Sequence, residues 1–239
     1  PYTTLFRSGC DVDTESGSPC VVNYLGRDTP SVLLIGDSHA GAISKAFLIA
    51  GKQMSVNSYI WTHSGCPLLI LRELENTTNR QRKICSENFH RTLNWIKLNK
   101  PKLVFVSIRL NSEKQLLDYR QALLRLRDSG VKIVVLEQTP TFPQEGNYFN
   151  YYSVVSKRNA FEKAFKISLF TSSNILRRKS NELARTLGLP IVPTWESFCN
   201  SLECTRFLNN RWLYIDDNHL SLSGAELLTP ELVNVLQNL

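Results

Sequence analysis

Apolar residues along this chain fall into short continuous runs separated by longer amphipathic stretches. SVLLI (31–35) is fully apolar after its serine and ends at Gly36. A run of that kind suits a strand buried on both faces of a parallel sheet. The pattern predicts further strands at 56–61 (VNSYIW), 103–108 (LVFVSI), 131–138 (VKIVVLEQ) and 190–195 (PIVPTW). Helical spacing predicts helices between them. Over 38–52, Ala42, Ala46 and Ile49 share a face, and over 86–99, Phe89, Leu93 and Ile96 do so, with Pro101 just beyond. Further helices are predicted over 112–128, closed by Gly130, over 153–187 with a break near 171–173, ending at Gly188, and over 222–237. Residues 10–30 read as a loop rich in Gly, Ser, Asp and Pro. Residues 139–152 (TPTFPQEGNYFNYY) read as a long loop bordering a site, and Asn209-Asn210 as the turn of a hairpin. Strand and helix alternate about five times, which predicts an α/β domain with a parallel sheet covered on both faces. Ligands in such sheets bind beyond the carboxyl ends of the strands, where Gly36-Asp37-Ser38 lies.

Composition narrows this picture without changing it. The chain has 239 residues, 42% hydrophobic and 21% charged, as expected of a folded domain. No apolar run approaches the roughly 20 residues that span a bilayer. The formal net charge of +7 suits a solvated basic surface or attraction to an anionic one. The basic residues are dispersed and no nucleic-acid motif is present, so nucleic acid is not an expected partner. The histidines and cysteines show no zinc spacing, and no metal is expected. Cys10, Cys20, Cys66, Cys85, Cys199 and Cys204 allow several pairings. Grouping by neighbours (10 with 20, 66 with 85, 199 with 204) closes short loops, and an oxidising compartment is expected. The first eight residues, PYTTLFRS, read as the translation of a sequencing adapter. Setting them aside leaves a disulfide-stapled N-terminal loop over 9–30 and one domain over 31–239, with the natural N-terminus expected upstream.

The chemistry is concentrated at the two ends of that domain. A serine hydroxyl becomes a useful nucleophile only when a base takes its proton. Ser38 follows a buried strand and starts a helix, which exposes its hydroxyl where backbone N–H groups favour negative charge. The base is expected from Asp216-Asp217-Asn218-His219-Leu220-Ser221. Asp216 lies three residues before His219, close enough to fold back in one turn, accept the imidazole proton and stabilise the imidazolium. Asp37 reads as a buried backbone anchor, and His63 and His90 as structural or surface residues.

With Gly36-Asp37-Ser38 opening the sheet and Asp216-x-x-His219 closing it, the chain resembles the SGNH hydrolase family from about residue 30 onward. The resemblance implies a flavodoxin-like, three-layer α/β/α fold with Ser38, Asp216 and His219 as catalytic residues. Ser64-Gly65-Cys66-Pro67 looks like the second block, which implies Gly65 N–H as an oxyanion donor beside the Ser38 N–H. The third block departs from the family's Gly-x-Asn-Asp. Strand three runs instead into Ser107-Ile108-Arg109-Leu110-Asn111, so the third donor is Arg109, Asn111 or absent. His39 is placed near the substrate or behind the site. GDSHA, the Gly-Cys-Pro block, the paired cysteines and DDNHLS narrow the resemblance to SGNH domains fused to membrane acyltransferase-3 proteins. That implies a periplasmic domain at the inner membrane with a membrane acyltransferase domain upstream. It also implies acetyl-CoA as the ultimate acyl donor through that membrane domain, no cofactor bound in this chain, and a surface glycan such as lipopolysaccharide O-antigen as acceptor. A free-standing carbohydrate esterase and a non-catalytic glycan-binding module are the alternatives. An α/β-hydrolase elbow fits poorly, because that fold puts several strands before its nucleophile.

Overall fold

Every apolar run marked in the sequence forms a strand in the computed structural model, which describes residues 18–69, 78–142 and 164–238. The strands of the main sheet are β1 (Cys20–Asn23), β2 (Ser31–Gly36), β3 (Asn57–Thr62), β4 (Leu103–Ser107), β5 (Ile133–Leu136) and, after a short β6 (Ala164–Lys166), β7 (Ile191–Val192). Their order is β1-β3-β2-β4-β5-β7. The last five are parallel, as expected, and their 2-1-3-4-5 order is the flavodoxin-like one. Successive strands are added on one side of β2 and then on the other, beginning with β4, so the carboxyl ends of those two strands frame the switch-point crevice.

The continuous apolar runs follow from two-sided burial. Val32 and Leu34 join Phe105, Val134 and Leu136 in a cluster on one face, while Leu33 and Ile35 join Val104, Val106, Ile133 and Val135 on the other. Helices cover both. On the first face lie α2 (Ser44–Gln53, after the short α1, Ser38–Ala42) and the C-terminal helix Thr229–Leu236. On the second lie α3 (Asn79–Asn99), α4 (Lys114–Asp128) and α5 (Thr171–Thr186). Each fully buried aliphatic side chain contributes about 1.5–3 kcal/mol, and alternate residues on one strand serve opposite layers.

Several expectations are corrected. The segment read as a loop over 10–30 contains β1, which pairs antiparallel with β3 and turns Cys20 and Val22 toward the core; residues 10–17 lie outside the described residues. The helix expected over 38–52 breaks at Ile43 (φ −91°, ψ 1°), and its inner face is Ala46, Phe47 and Ala50, with Ile49 only half-buried. Helix α3 starts at Asn79, not 86, because the Thr78 hydroxyl caps it by accepting from Gln81 N–H. Ala164–Lys166, expected to be helical, pairs antiparallel with β8 (Glu203–Thr205) and buries Phe165; a 3₁₀ turn follows, and the helix begins only at Thr171. Residues 153–163 of that expected helix, and 143–152 of the expected loop, lie outside the described residues. The last helix divides into α6 (Leu222–Glu226) and α7 (Thr229–Leu236), with a proline in the first turn of the second. The predicted hairpin forms: β9 (Phe207–Leu208) and β10 (Arg211–Trp212) flank Asn209 and Asn210, both left-handed at φ 49° and 61°.

Cys66 is bonded to Cys85 and Cys199 to Cys204. Cys20 is disulfide-bonded as well, and Cys10 lies outside the described residues. Among the described residues no helix is long and apolar enough to cross a membrane.

Candidate active site

The site begins where β2 ends. Gly36 has φ 153°, and a Cβ there would sit 1.7 Å from the Ser107 carbonyl of the paired strand β4. Only glycine permits that close approach and turn. The next residue, Asp37, is buried and caps α1. Its Oδ1 accepts from His39 N–H at 2.8 Å and its Oδ2 from Arg109 N–H at 2.9 Å. The carboxylate therefore ties the turn carrying Ser38 to the loop after β4, the backbone-anchor role expected of it.

The other half arrives from the C-terminal end. A tight loop is closed by Ile215 N–H donating to His219 O at 2.9 Å. Ser221, capping α6, also donates its hydroxyl to Trp212 O at 2.6 Å. Within the loop, Asp216 Oδ1 accepts from the N–H groups of Asn218 (2.8 Å) and His219 (2.6 Å), and Oδ2 lies 2.6 Å from His219 Nδ1. The carboxylate can only accept, so Nδ1 carries the proton and Nε2 presents its lone pair. Nε2 lies 2.8 Å from Ser38 Oγ, which donates to it. The fold thus joins Ser38, His219 and Asp216, 181 residues apart in sequence at the longest link, into one relay of hydrogen bonds. Burial acts to raise the Asp216 carboxyl. The hydrogen bonds from the His219 ring and the two backbone N–H groups, with the charge of His219, outweigh that and hold it below its ordinary value.

The remaining expected site residues are placed as follows. Gly65 is exposed, with φ 75°, in a turn where Cys66 N–H donates to His63 O, and its own carbonyl accepts from Gln81 Nε2 at 3.2 Å. The Cys66–Cys85 disulfide pins that turn to α3. Arg109 is half-buried, and Asn111 is exposed. Among the described residues, the ring bonds of His219 run to Asp216 and Ser38. Three amides in the loop after β4 are occupied: Arg109 N–H goes to Asp37, Leu110 N–H to Gln138 Oε1 (3.1 Å) and Asn111 N–H to Gln115 Oε1 (2.6 Å). A third oxyanion donor from Arg109 or Asn111 would therefore have to be a side chain. His39 stacks on His219 and bonds to Asn218.

Sequence reasoning missed three supporting residues. Asn218 was in view in the DDNHLS motif but carried no expected role. Gln138 and Glu137 stand at the end of β5. The Glu137 carboxylate accepts from Arg177, from Asn181 Nδ2 (2.6 Å) and from the N–H groups of Thr194 and Trp195 (3.1 Å each). That turns the chain out of β7 and explains why the strand expected over 190–195 stops at Val192. A buried glutamate in an apolar strand was the available signal. Among the described residues no cluster of His, Cys, Asp and Glu has the arrangement of a metal site.

Compared with known proteins, residues 9–234 match the family described as the SGNH domain fused to AT3 domains. Among solved structures, the fold is similar to the periplasmic domain of a lipopolysaccharide acetyltransferase from Salmonella serovar Paratyphi A. That match has a TM-score of 0.70 at 15% identity and covers 99% of this chain and 89% of that one. A GDSL-like lipase from Bacteroides thetaiotaomicron matches with a TM-score of 0.55 at 11% identity, covering 90% and 92%. A carbohydrate acetylesterase from Sinorhizobium meliloti matches at 0.50 and 11%, covering 87% and 97%. At these identities the likeness is one of fold. No curated protein matches the sequence.

Proposed function

The chain belongs to the family of SGNH domains fused to AT3 domains, and from that premise we propose that it transfers an acetyl group to a sugar hydroxyl of a bacterial surface polysaccharide through an acyl-Ser38 intermediate. The observation that carries the proposal is the 2.8 Å contact between His219 Nε2 and Ser38 Oγ, with Asp216 fixing the tautomer that makes Nε2 a base. Ser38 Oγ attacks the donor carbonyl as its proton passes to Nε2. The tetrahedral oxyanion is met by the N–H groups of Ser38 and Gly65. Collapse expels the donor's leaving group, which takes the proton from His219, and leaves acetyl on Ser38. The acceptor hydroxyl then gives its proton to His219 and attacks, and Ser38 regains its proton as the ester leaves.

Family membership implies a membrane acyltransferase domain as fused partner and source of acetyl, drawn ultimately from acetyl-CoA. The disulfides fit an extracytoplasmic location, here proposed to be the periplasmic face of the inner membrane. One observation favours a second reading, hydrolysis. The side chains of His219 and Asp216 are 23% and 31% exposed, so water can reach the base in this domain alone. Transfer requires that water be displaced when the glycan binds.

The test is acetylation of surface glycan by the full-length protein supplied with acetyl-CoA. Acetyl should appear on the glycan with wild-type protein and be lost with Ser38→Ala while the protein remains folded. Retained transfer by Ser38→Ala would overturn the mechanism. Release of free acetate alone, with glycan present, would establish the esterase reading.

A further inference from the structure

His39 follows the nucleophile directly, and its ring lies flat against that of His219, with centroids 4.5 Å apart and planes inclined by 25°. Its Nε2 lies 2.9 Å from Asn218 Oδ1. The Asn218 amide has one possible orientation, because its Nδ2 donates to the Asp217 carboxylate at 2.7 Å. Oδ1 therefore faces His39, and His39 Nε2 is the donor. At the opposite edge of the ring, Nδ1 is 3.3 Å from Asp37 Oδ1, the same oxygen that takes the His39 backbone N–H. The imidazole is thus tied through Nε2 to Asn218 on the segment bearing His219, while its Nδ1 faces Asp37 without a hydrogen bond. It forms a second bridge between the two ends of the chain, parallel to the Ser38–His219 contact.

A second bridge matters at one stage of the cycle above all. In the free enzyme, His219 is aimed by two hydrogen bonds, one to Asp216 and one from the Ser38 hydroxyl. Once Ser38 is acylated its oxygen has no proton to donate, and the second bond is gone. Of those two bonds the one to Asp216 remains, at one corner of the ring, about which it can swing. That is when Nε2 must take the proton of the acceptor hydroxyl. We propose that His39 is a positioning residue that keeps His219 aimed in the acyl-enzyme by stacking against its face, so that its contribution falls on the second half of the reaction. This rests on the acyl-Ser38 reading.

The two halves can be measured separately on this chain. An activated acetyl ester gives the acylation rate from release of its leaving group. Acyl-enzyme freed of excess ester gives the deacylation rate from loss of acetyl followed by mass spectrometry. His39→Ala should slow deacylation on the order of 10²-fold, the scale of a displaced catalytic group, and slow acylation far less. His39→Phe, which restores a flat face, should recover most of the loss. Asn218→Ala, which frees one edge of the His39 ring, should slow deacylation in the same selective way, and it stands in for His39→Ala should that variant fail to fold. Equal slowing of both halves, or unchanged deacylation in folded His39→Ala or Asn218→Ala, would overturn the proposal. So would a rise in acceptor KM at constant deacylation to water, which would make His39 a substrate contact. Absence of any acetyl-Ser38 in wild type would instead remove the reading beneath it.

Discussion

At the residue scale, the arrangement depends on a carboxylate doing three things. Asp216 orients the ring, fixes its tautomer and closes its own loop through two backbone amides. Asp216→Asn keeps the shape but presents an amide that can leave the proton on the wrong nitrogen. Turnover of an acetyl ester should fall about 10⁴-fold, as an orienting aspartate's loss does elsewhere, with little change in KM. The same residue has a stability signature. Its folded carboxyl titrates below the ordinary value of 3.8, so the stability it contributes is fully present above the unfolded value and lost as pH falls through the folded one. Urea midpoints measured downward from about pH 4 should therefore drop more steeply for wild type than for Asp216→Asn. Parallel pH dependence would show that the carboxylate is not held by those bonds. These residues were legible in the sequence because Asp216 and His219 are three apart and Ser38 follows a glycine turn, so each half is a local motif. The bond between His39 and Asn218 was not, because it is a contact across 179 residues.

At the element scale, two joints position the site. Gly36 lies so close to β4 that any side chain meets the Ser107 carbonyl. Gly36→Ala combines that clash with an unfavourable φ and should cost about 3 kcal/mol or more, read as a loss of urea-unfolding free energy or of soluble protein; a stability equal to wild type would refute the close approach. Glu137 joins the end of β5 to α5 and to the start of the Trp195–Ser197 turn. Glu137→Ala strands Arg177 and two buried amides and should cost about 3–5 kcal/mol. A change under about 1 kcal/mol would mean water replaces the carboxylate freely. The main strands were legible from their apolar runs, since burial on both faces leaves no polar alternation to confuse. β6 was not: three residues are too few for any period, and what makes Ala164–Lys166 a strand is its partner at 203–205. The start of α3 was hidden for a related reason. Its first turns, Asn79-Arg80-Gln81-Arg82-Lys83, are polar, and the signal for them is the Thr78 cap and not a face.

At the scale of the whole molecule, the fold brings a turn near residue 38 and a loop near residue 218 together at the carboxyl end of β2, inside the sheet. The Cys66–Cys85 disulfide pins the neighbouring Gly65 turn, closing a loop of 19 residues. Its removal by Cys66→Ser with Cys85→Ser should lower unfolding free energy by about 3 kcal/mol. Loosening the Gly65 turn should also reduce turnover more than ester binding if its N–H is the oxyanion donor proposed above, because such a donor acts on the transition state. Full turnover in the reduced or double-serine protein would remove Gly65 from the oxyanion site. The central claim is that acyl transfer passes through Ser38, and peptide mass spectrometry of acid-quenched protein mixed with an activated acetyl ester tests it most directly. The account predicts acetyl on the peptide containing Ser38 in wild type and none there in Ser38→Ala. Turnover with no acetyl on that peptide, or with acetyl elsewhere and Ser38→Ala fully active, would contradict it.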